Sequence, residues 1–244
     1  MLGEELQGER AEMNRVLMVG FYPGDIQSFP CVKRPGDLIW SCVDFWNYGY
    51  ADLKPELCFQ LHHQFSEEGN EWAKPFIEGY AARPDMGIVS YGHVKIPNSQ
   101  YVFDTEDYVN LFGMNRRLLN SVFASTPAMM LAFACLKGYK HVHMHGFAMW
   151  LESYDFATGK KRGEAWEQGI PLLWFVDRLR SMHGMTIEWP REQNLRAKYG
   201  NQALLWHPVE VELKYGDKGY KAIIVEPKPF ETGEFTINQD GEVS

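Results

Sequence analysis

The chain has 244 residues, of which 45% are hydrophobic and 14% aromatic, and a formal net charge of -8. This composition allows one sizeable core, or one core with a small appendage, and its eight tryptophans and fifteen phenylalanines exclude a disordered chain. The acidic balance and the lack of a Lys/Arg run argue against a protein that coats nucleic acid electrostatically. Local contact with a nucleic acid stays open.

The cysteines and the apolar runs bear on the cellular compartment. The four cysteines form no C-x-x-C pair, so we interpret them as free thiols in a reducing cytosol. The first fifteen residues are polar, unlike a signal peptide, and the longest apolar run is far short of the roughly 18 residues that span a bilayer. We therefore expect a soluble cytoplasmic protein that does not bind membranes, located in the host cytoplasm if the gene is viral.

Six strands and two helices are predicted in chain order. The strand candidates are apolar or β-branched runs, most of them ending in Gly, His or Pro: residues 16–20, 37–46, 56–62, 87–93, 141–146 and 186–190. The helices cover 125–136, with Ser125 or Thr126 as N-cap and Pro127 in the first turn, and 164–183. Strands followed by helices indicate parallel β-α units. The sequence thus predicts an α/β, Rossmann-like, mostly parallel sheet flanked by helices.

The last forty residues differ from the rest of the chain. Residues 209–227 alternate like a β-hairpin whose turn is KYGDKGYK. We predict a polar N-terminal segment (1–14), a Rossmann-like nucleotide-binding domain (15–205), and a β-hairpin extension with a polar tail (206–244). The hairpin would cover the site, join a partner chain or cap an edge of the sheet, and a homo-oligomer is one of the arrangements left open.

In open parallel sheets, ligands bind beyond the carboxyl ends of the strands, near a reversal in strand order. This rule selects the residues that follow the predicted strands, and a helix N-terminus adds N–H groups that attract an anion. The predicted nucleotide-binding residues are Gly20, Tyr22, Pro23, Gly24, Asp44, Ser125, Thr126 and Gly146. Each of the two main segments also has an alternative interpretation without a ligand: residues 125–127 as an ordinary helix cap and residues 20–24 as a tight turn. Neither a G-x-G-x-x-G nor a P-loop motif occurs.

Histidines supply most of the catalytic candidates. His141, His143 and His145 share one face of a strand and could bind zinc. Same-face residues lie about 6.5–7 Å apart along a strand, which suits a single metal poorly, so we predict no metal site. His145, at the end of the strand, is the best placed of the three to reach a ligand.

His62 also follows a predicted strand, where a neutral imidazole could accept a proton or bind a phosphate. The alternative is a hydrogen-bonded structural histidine. Asp155, in a segment interpreted as a charged loop, is a further candidate base. Lys160, Lys161 and Arg162 follow it as countercharges for phosphate or simply as solvated residues. The predicted catalytic residues are His62, His145 and Asp155.

The segment STPAMMLAFACLKGYKHVHMHGFAM, residues 125–149, resembles a segment of the MptE-like, DUF115-type proteins that is also found in Cst-type bacterial sialyltransferases. Phage-borne members are the most similar, because they pair I-W-x-x-N with W/C-F-Q/E-x-H. Here these motifs appear as Ile39-Trp40 and as the run from Phe59 to His62. The likeness covers about residues 15 to 200 and continues through later positions: Glu152, Tyr154, Arg162-Gly163 and Trp189-Pro190.

The resemblance implies a Rossmann-like fold whose nucleotide lies between the first loop and the helix at 125. The ligand is a cytidine sugar nucleotide in the sialyltransferases and ATP in the archaeal pterin members, so a nucleoside phosphate is the shared feature. The chain departs from the pattern at three places. Val43 replaces the motif asparagine, Ala148 replaces the aspartate after the fifth strand, and residues 160–164 lack the sialyltransferase histidine.

Three functions follow from these observations. The first is a glycosyltransferase with a nucleotide-sugar donor, acting on a glycan or, for a phage gene, on a modified nucleic-acid base. The second is an ATP-dependent, pyrophosphokinase-like enzyme, which would need Mg²⁺ held by carboxylates such as Asp44 and Asp155. The third is a non-catalytic protein that binds and sequesters a nucleotide. We rank the first above the second because Ala148 removes an expected carboxylate, and the sequence identifies neither the sugar nor the acceptor.

Overall fold

Strands and helices alternate along the chain around one central sheet. The computed structural model describes residues 15–20, 34–42, 45–48, 54–62, 71, 73–94, 96, 99–149, 153–155, 160–162, 168–216 and 219–224. The strands are β1 (Arg15–Val19), β2 (Leu38–Cys42), β3 (Leu57–Gln60), β4 (Gly87–Ser90), β5 (Ser99–Val102), β6 (His141–His145), β7 (Ser153–Asp155), β8 (Lys160–Arg162), β9 (Thr186–Glu188), β10 (Val211–Gly216) and β11 (Gly219–Ile224). The helices are α1 (Lys74–Ala81), α2 (Glu106–Phe112), α3 (Arg116–Val122), α4 (Thr126–Leu136), α5 (Ile170–His183) and α6 (Glu192–Leu205), and a 3-10 helix covers Phe45–Tyr48.

Seven strands form a parallel sheet in the order β5-β4-β3-β2-β1-β6-β9. Each neighbouring pair runs parallel. The chain builds outward from β1 to β5 and then returns to place β6 on the other side of β1, so the strand order reverses between β1 and β6. This arrangement confirms the predicted Rossmann-like α/β fold.

Both faces of the inner strands β1 to β4 are buried, which explains why these strands are mostly apolar, whereas β5 at one edge of the sheet is exposed. We call front face the side on which Val16, Met18 and Trp40 pack with α4. We call back face the side on which Val19 and Cys58 pack with α1. Residues along each strand alternate between the two faces, as the period of a strand requires.

Helix α4 is buried on nearly all sides, as its uniformly apolar sequence predicts. The ring of Phe133 contacts those of Trp40 and Phe59 on the front face, at centroid distances of 5.6 and 5.4 Å. Ser125 is the N-cap and accepts a hydrogen bond from the backbone N–H of Ala128. Because α4 precedes the parallel strand β6, the helix runs against the direction of the strands and begins at the carboxyl edge of the sheet.

The predicted C-terminal hairpin is confirmed and packs on helix α3. Strands β10 and β11 pair antiparallel, with Val211 opposite Ile224. Asn120 Nδ2 donates to the Val211 carbonyl at 2.9 Å, and the Val209 N–H donates to Ser121 Oγ at 3.2 Å. In the described part of the chain the hairpin forms its own two-stranded sheet and does not extend the central one.

Helix α6 is absent from the predicted elements because its sequence is mostly polar, and its few buried apolar residues, Leu195 and Ala203, form only a sparse period. Ion pairs hold it to α5: Glu192 accepts from Arg180 at 2.7 Å and from Arg196 at 2.5 Å, and Arg196 also binds Asp177. Burial raises the pKa of the Glu192 carboxyl, but the two guanidinium groups outweigh it and leave the pKa below its usual range.

Other elements are also absent from the prediction. Helices α1, α2 and α3 have only seven or eight residues each, too few to show a clear apolar period. The segment interpreted as a charged loop contains β7 and β8, with Asp155 opposite Lys160. The predicted helix over 164–183 begins at Ile170 within the described residues.

Residues 1–14 and 225–244 lie outside the described part of the chain, and the three predicted regions stay predictions. Among the described helices, none combines the length and the apolar character needed to cross a membrane.

Candidate functional site

The two strands at the reversal of strand order meet through glycines at their carboxyl ends. The Gly20 N–H donates to the His145 carbonyl at 2.7 Å. A Cβ atom placed on Gly20 would lie 2.5 Å from the Gly146 carbonyl oxygen, and one on Gly146 would lie 2.7 Å from the Gly20 carbonyl oxygen. Gly146 also has a φ of +75°, which favours glycine. Two predicted site residues, Gly20 and Gly146, therefore lie in direct backbone contact at the switch point.

The segment after β6 is held in place by a residue that follows the neighbouring edge strand, β9. Trp189 follows β9, is buried, and donates its indole N–H to the Phe147 carbonyl at 2.8 Å. Phe147, Ala148 and Met149 are buried as well. Ala148 thus places a small apolar group inside the protein shortly after the switch-point glycine, Gly146.

His145 ends β6 on the back face and is buried beside His143. Their ring centroids are 5.9 Å apart, and Val142 and Met144 point to the front face. Burial lowers the pKa of His143, although the Glu188 carboxylate, 3.4 Å from its Nδ1, acts in the opposite direction. Within the described residues no three His, Cys, Asp or Glu side chains come together to hold a metal ion, so the three-histidine zinc alternative has no geometric support there.

The start of α4 lies at the carboxyl edge but offers fewer N–H groups than most helices. Pro127 has none, and the N–H of Ala128 already donates to Ser125 Oγ at 3.4 Å. Ser125 is 5% exposed, whereas Thr126 is partly exposed. The ordinary helix cap is thus observed, and any anion binding at this turn would depend mainly on Thr126.

His62 is the predicted catalytic residue whose surroundings are defined best. Its Nδ1 lies 2.6 Å from Gln60 Oε1, and its backbone N–H donates to the same oxygen at 3.2 Å. Gln60 is fully buried and donates from Nε2 to the hydroxyl of Tyr80 on α1 at 2.9 Å. Gln60 is the Q/E position of the resembling motif but is not among the predicted site residues, and no sequence pattern points to Tyr80.

A cavity of about 590 Å³ opens at the carboxyl ends of β4 and β5. Its walls include Tyr91, whose ring stacks on His93 at 5.7 Å, together with Asn120 of α3 and Val211 of the hairpin. The register between β3 and β4 pairs Gln60 with Ser90, and the Gln60 side chain points to Tyr80 on the back face, so His62 follows on the back-face side of this edge. Tyr91 also donates to Met129 Sδ at 3.4 Å, which links the cavity to the first turns of α4.

The remaining predicted residues are less well defined. Tyr22, Pro23, Gly24 and Asp44 lie outside the described residues. Asp155 lies in β7, where only the backbone is described. The structure therefore joins Gly20, His145 and Gly146 in one contact, and places Ser125, Thr126 and His62 along the same edge of the sheet.

Three solved structures of bacterial sialyltransferases have a backbone fold similar to that of this chain. CstII from Campylobacter jejuni with cytidine-5'-monophosphate has 12% identity, covers 73% of this chain and 80% of its own, and has a TM-score of 0.45. CstII with CMP-3FNeuAc has 12% identity, coverage of 76% and 84%, and a TM-score of 0.47. The monofunctional alpha-2,3-sialyltransferase Cst-I from Campylobacter jejuni has 13% identity, coverage of 73% and 75%, and a TM-score of 0.42. No family model matches the sequence. No curated protein matches it either.

Proposed function

We propose that this protein is a glycosyltransferase-like transferase that binds a nucleotide-sugar donor at the carboxyl edge of its sheet, beside the β1–β6 switch point. The observation that carries the proposal is the contact between Gly20 and Gly146. Such a contact removes side chains from the place where open parallel sheets bind their ligands. The resemblance of residues 125–149 to nucleotide-using proteins supports the same location.

In this proposal the donor phosphate lies near Thr126 and the loop that follows Gly20. Tyr22, Pro23, Gly24 and Asp44 would complete the nucleotide site, with Ser125 holding the start of α4. Transfer of a sugar needs a base for the acceptor hydroxyl and stabilisation of the departing nucleotide. His62 is the proposed base, because it follows β3 at the carboxyl edge of the sheet, where open parallel sheets bind their ligands, and its Nδ1 is held by Gln60. His145 and Asp155 are the alternative bases.

A second candidate is a non-catalytic nucleotide binder, favoured by the buried alanine at position 148. The ATP-dependent pyrophosphokinase is the third. Incubation with CMP-N-acetylneuraminic acid, UDP-glucose, GDP-mannose and ATP, followed by chromatography, distinguishes them. Release of free sugar supports the transferase, AMP formation supports the pyrophosphokinase, and binding without turnover supports the binder. A protein that binds none of the four compounds would contradict all three.

The location of the nucleotide is tested by the double variant Ser125→Ala with Thr126→Ala. We expect its affinity for the bound nucleotide to fall by about 1–3 kcal/mol in calorimetry, as for lost hydrogen bonds to a charged group. Thr186→Ala, on β9 at the opposite edge of the sheet, is the matched control and should bind as the wild type does. Unchanged affinity in the double variant would remove α4 from the site.

The proposed base is tested by His62→Ala. We expect the variant to stay folded and kcat to fall by about 10²–10⁴-fold, the usual contribution of a positioned general base. A sharp loss of thermal stability with unchanged kcat would instead show that this histidine is structural.

A further inference from the structure

The orientation of the Gln60 side-chain amide can be derived from its three hydrogen bonds. The backbone N–H of His62 can only donate, so the Gln60 atom 3.2 Å from it must be the carbonyl oxygen Oε1. The amide nitrogen then faces the Tyr80 hydroxyl, 2.9 Å away, which accepts its hydrogen bond. All three contacts agree on one orientation of the amide.

This orientation determines which imidazole nitrogen carries the proton. Nδ1 of His62 lies 2.6 Å from the same Oε1 atom, and two acceptors cannot form a hydrogen bond with each other. In the neutral ring Nδ1 must therefore be the donor, and Nε2 carries the lone pair. A histidine whose other nitrogen is bound in this way has one tautomer and one ring orientation.

The hydrogen-bonded unit is rigid because its inner members are buried. Gln60 and Tyr80 are both 0% exposed, and Tyr80 packs in the back-face cluster with Val19 and Cys58. The rings of Trp46 and Tyr80 are in a T-shaped contact, with ring centroids 5.4 Å apart. Rotation of the Gln60 amide would turn its NH2 group towards the backbone N–H of His62 and leave that N–H without its acceptor, at a cost of about 1–3 kcal/mol.

We propose that Gln60 is a positioning residue, which holds His62 in the tautomer with the proton on Nδ1 and presents Nε2 to the acceptor hydroxyl. This inference rests on the proposed function, in which His62 is the base. In the proton transfer, Nε2 takes the hydroxyl proton of the acceptor while its oxygen forms the bond to the sugar and the nucleotide leaves with the bonding electron pair. Gln60 itself touches neither substrate.

The tautomer can be read without any substrate, by long-range ¹H–¹⁵N NMR of protein labelled with ¹⁵N-histidine, with His62 assigned from the spectrum of His62→Gln. We expect Nδ1 to be protonated and Nε2 unprotonated in the neutral ring of the wild type. Gln60→Met, which removes the acceptor at similar size, should shift His62 towards the other tautomer. Gln60→Glu, which keeps the acceptor oxygen, should retain the wild-type pattern.

Ser90→Ala is the matched control, since Ser90 lies opposite Gln60 in the register, is equally buried and hydrogen-bonds to Ser99 rather than to a histidine. It should leave the His62 signals unchanged. A wild type with the proton on Nε2 would overturn the proposal. So would a Gln60→Met protein with an unaltered tautomer, and the wild-type spectrum decides even if that variant fails to fold.

Kinetics separate this proposal from the proposed function. With whichever donor the wild type turns over, Gln60→Met should lower kcat by about 10–100-fold, the usual effect of losing the partner that orients a functional histidine, and leave the KM for the donor unchanged. Gln60→Glu should restore most of the rate. If the tautomer follows the expected pattern but His62→Gln reacts at the wild-type rate, the assignment of His62 as base is wrong, and so is a catalytic role for Gln60.

Discussion

The two ends of the central sheet are built from different kinds of residue. At the amino edge Arg15 and Asp37 form a bidentate pair, with Nε–Oδ1 and Nη2–Oδ2 distances of 3.3 and 2.7 Å. The small cavity there, about 270 Å³, is lined largely by charged and ionisable side chains, among them Arg34 and Glu188. At the carboxyl edge, the strand ends carry glycines, histidines and buried polar groups such as Gln60, and the charged residues stand further out, on the wall of the cavity formed by α3 and the hairpin.

The difference separates residues that stabilise the fold from residues that could bind and react. The pair at the amino edge satisfies its own charges: burial raises the pKa of Asp37, but Arg15 and Arg34 outweigh it and leave the pKa below its usual range. At the carboxyl edge the groups are held by uncharged hydrogen bonds and close backbone contacts. These strand ends keep their geometry without an ion pair, and Arg116 and Arg117 on the cavity wall are cations that an anionic ligand could use.

The largest expected effect is on stability at the amino edge. Asp37→Ala leaves the guanidinium of Arg15, with a side chain 10% exposed, without its partner, and should lower the free energy of unfolding by about 3 kcal/mol. Because the folded pKa of Asp37 is lowered, its contribution is present above the unfolded pKa and is lost as pH falls through the folded value. Urea titrations of variant and wild type should therefore converge in acid.

Glu106→Ala is the control for this prediction. Glu106 pairs with Arg116 at 3.6 Å, but both side chains are more than half exposed, so its loss should change stability by less than about 1 kcal/mol. Equal losses of stability in Asp37→Ala and Glu106→Ala would contradict the expected difference between a buried and an exposed ion pair. Nucleotide binding should survive both changes in whatever protein remains folded.

The next effect concerns the glycine contact at the carboxyl edge. Gly20→Ala brings a methyl group to 2.5 Å from the Gly146 carbonyl oxygen. We expect this overlap to lower the stability of the fold by about 1–3 kcal/mol and to weaken nucleotide binding. Gly200→Ala, in helix α6, is the control: its nearest neighbour would be 3.8 Å away, so it should be neutral or stabilising. Melting temperatures and calorimetry check both, and wild-type binding by Gly20→Ala would remove this contact from the site.

The helix cap gives a smaller effect. Ser125→Ala alone removes the acceptor of the Ala128 N–H and should lower stability by about 1 kcal/mol. Replacement by Asp, which can also cap, should restore it. If chemical denaturation gives Ser125→Ala the same free energy of unfolding as the wild type, the Ser125 cap contributes nothing to stability.

The smallest effect is a pH dependence on the back face. The folded pKa of His143 is lowered by burial, so its neutral form is favoured, and stability should decline as pH falls below 6.5, the ordinary histidine value. His143→Leu should lose this decline. Thermal melts of the wild type and His143→Leu between pH 5 and pH 8 test this prediction. If the melting temperatures of both proteins change with pH in the same way, His143 is not the group responsible.

Much of the fold follows from local patterns. The strand starting at Val16 and the helix capped by Ser125 are visible as apolar runs, the hairpin is visible as an alternation, and each is found in the structure. Helix α6 is hard to recognise from sequence because its buried apolar residues, Leu195 and Ala203, are few, and ion pairs of Glu192 also attach the helix to α5. For the site, strand ends identify Gly20, His62 and Gly146 as candidates, but not what surrounds them.

The sequence by itself determined the parallel sheet, the edge at which ligands should bind and the cap of α4, because periodicity, strand ends and capping depend on residues close together in the chain. Only the tertiary structure decided that Gly20 touches Gly146, that Tyr80 holds Gln60 against His62, and that the hairpin packs on α3. Apart from the local bond between Gln60 and His62, these contacts join segments far apart in the chain. Their geometry depends on how strands and helices pack, which no local pattern encodes.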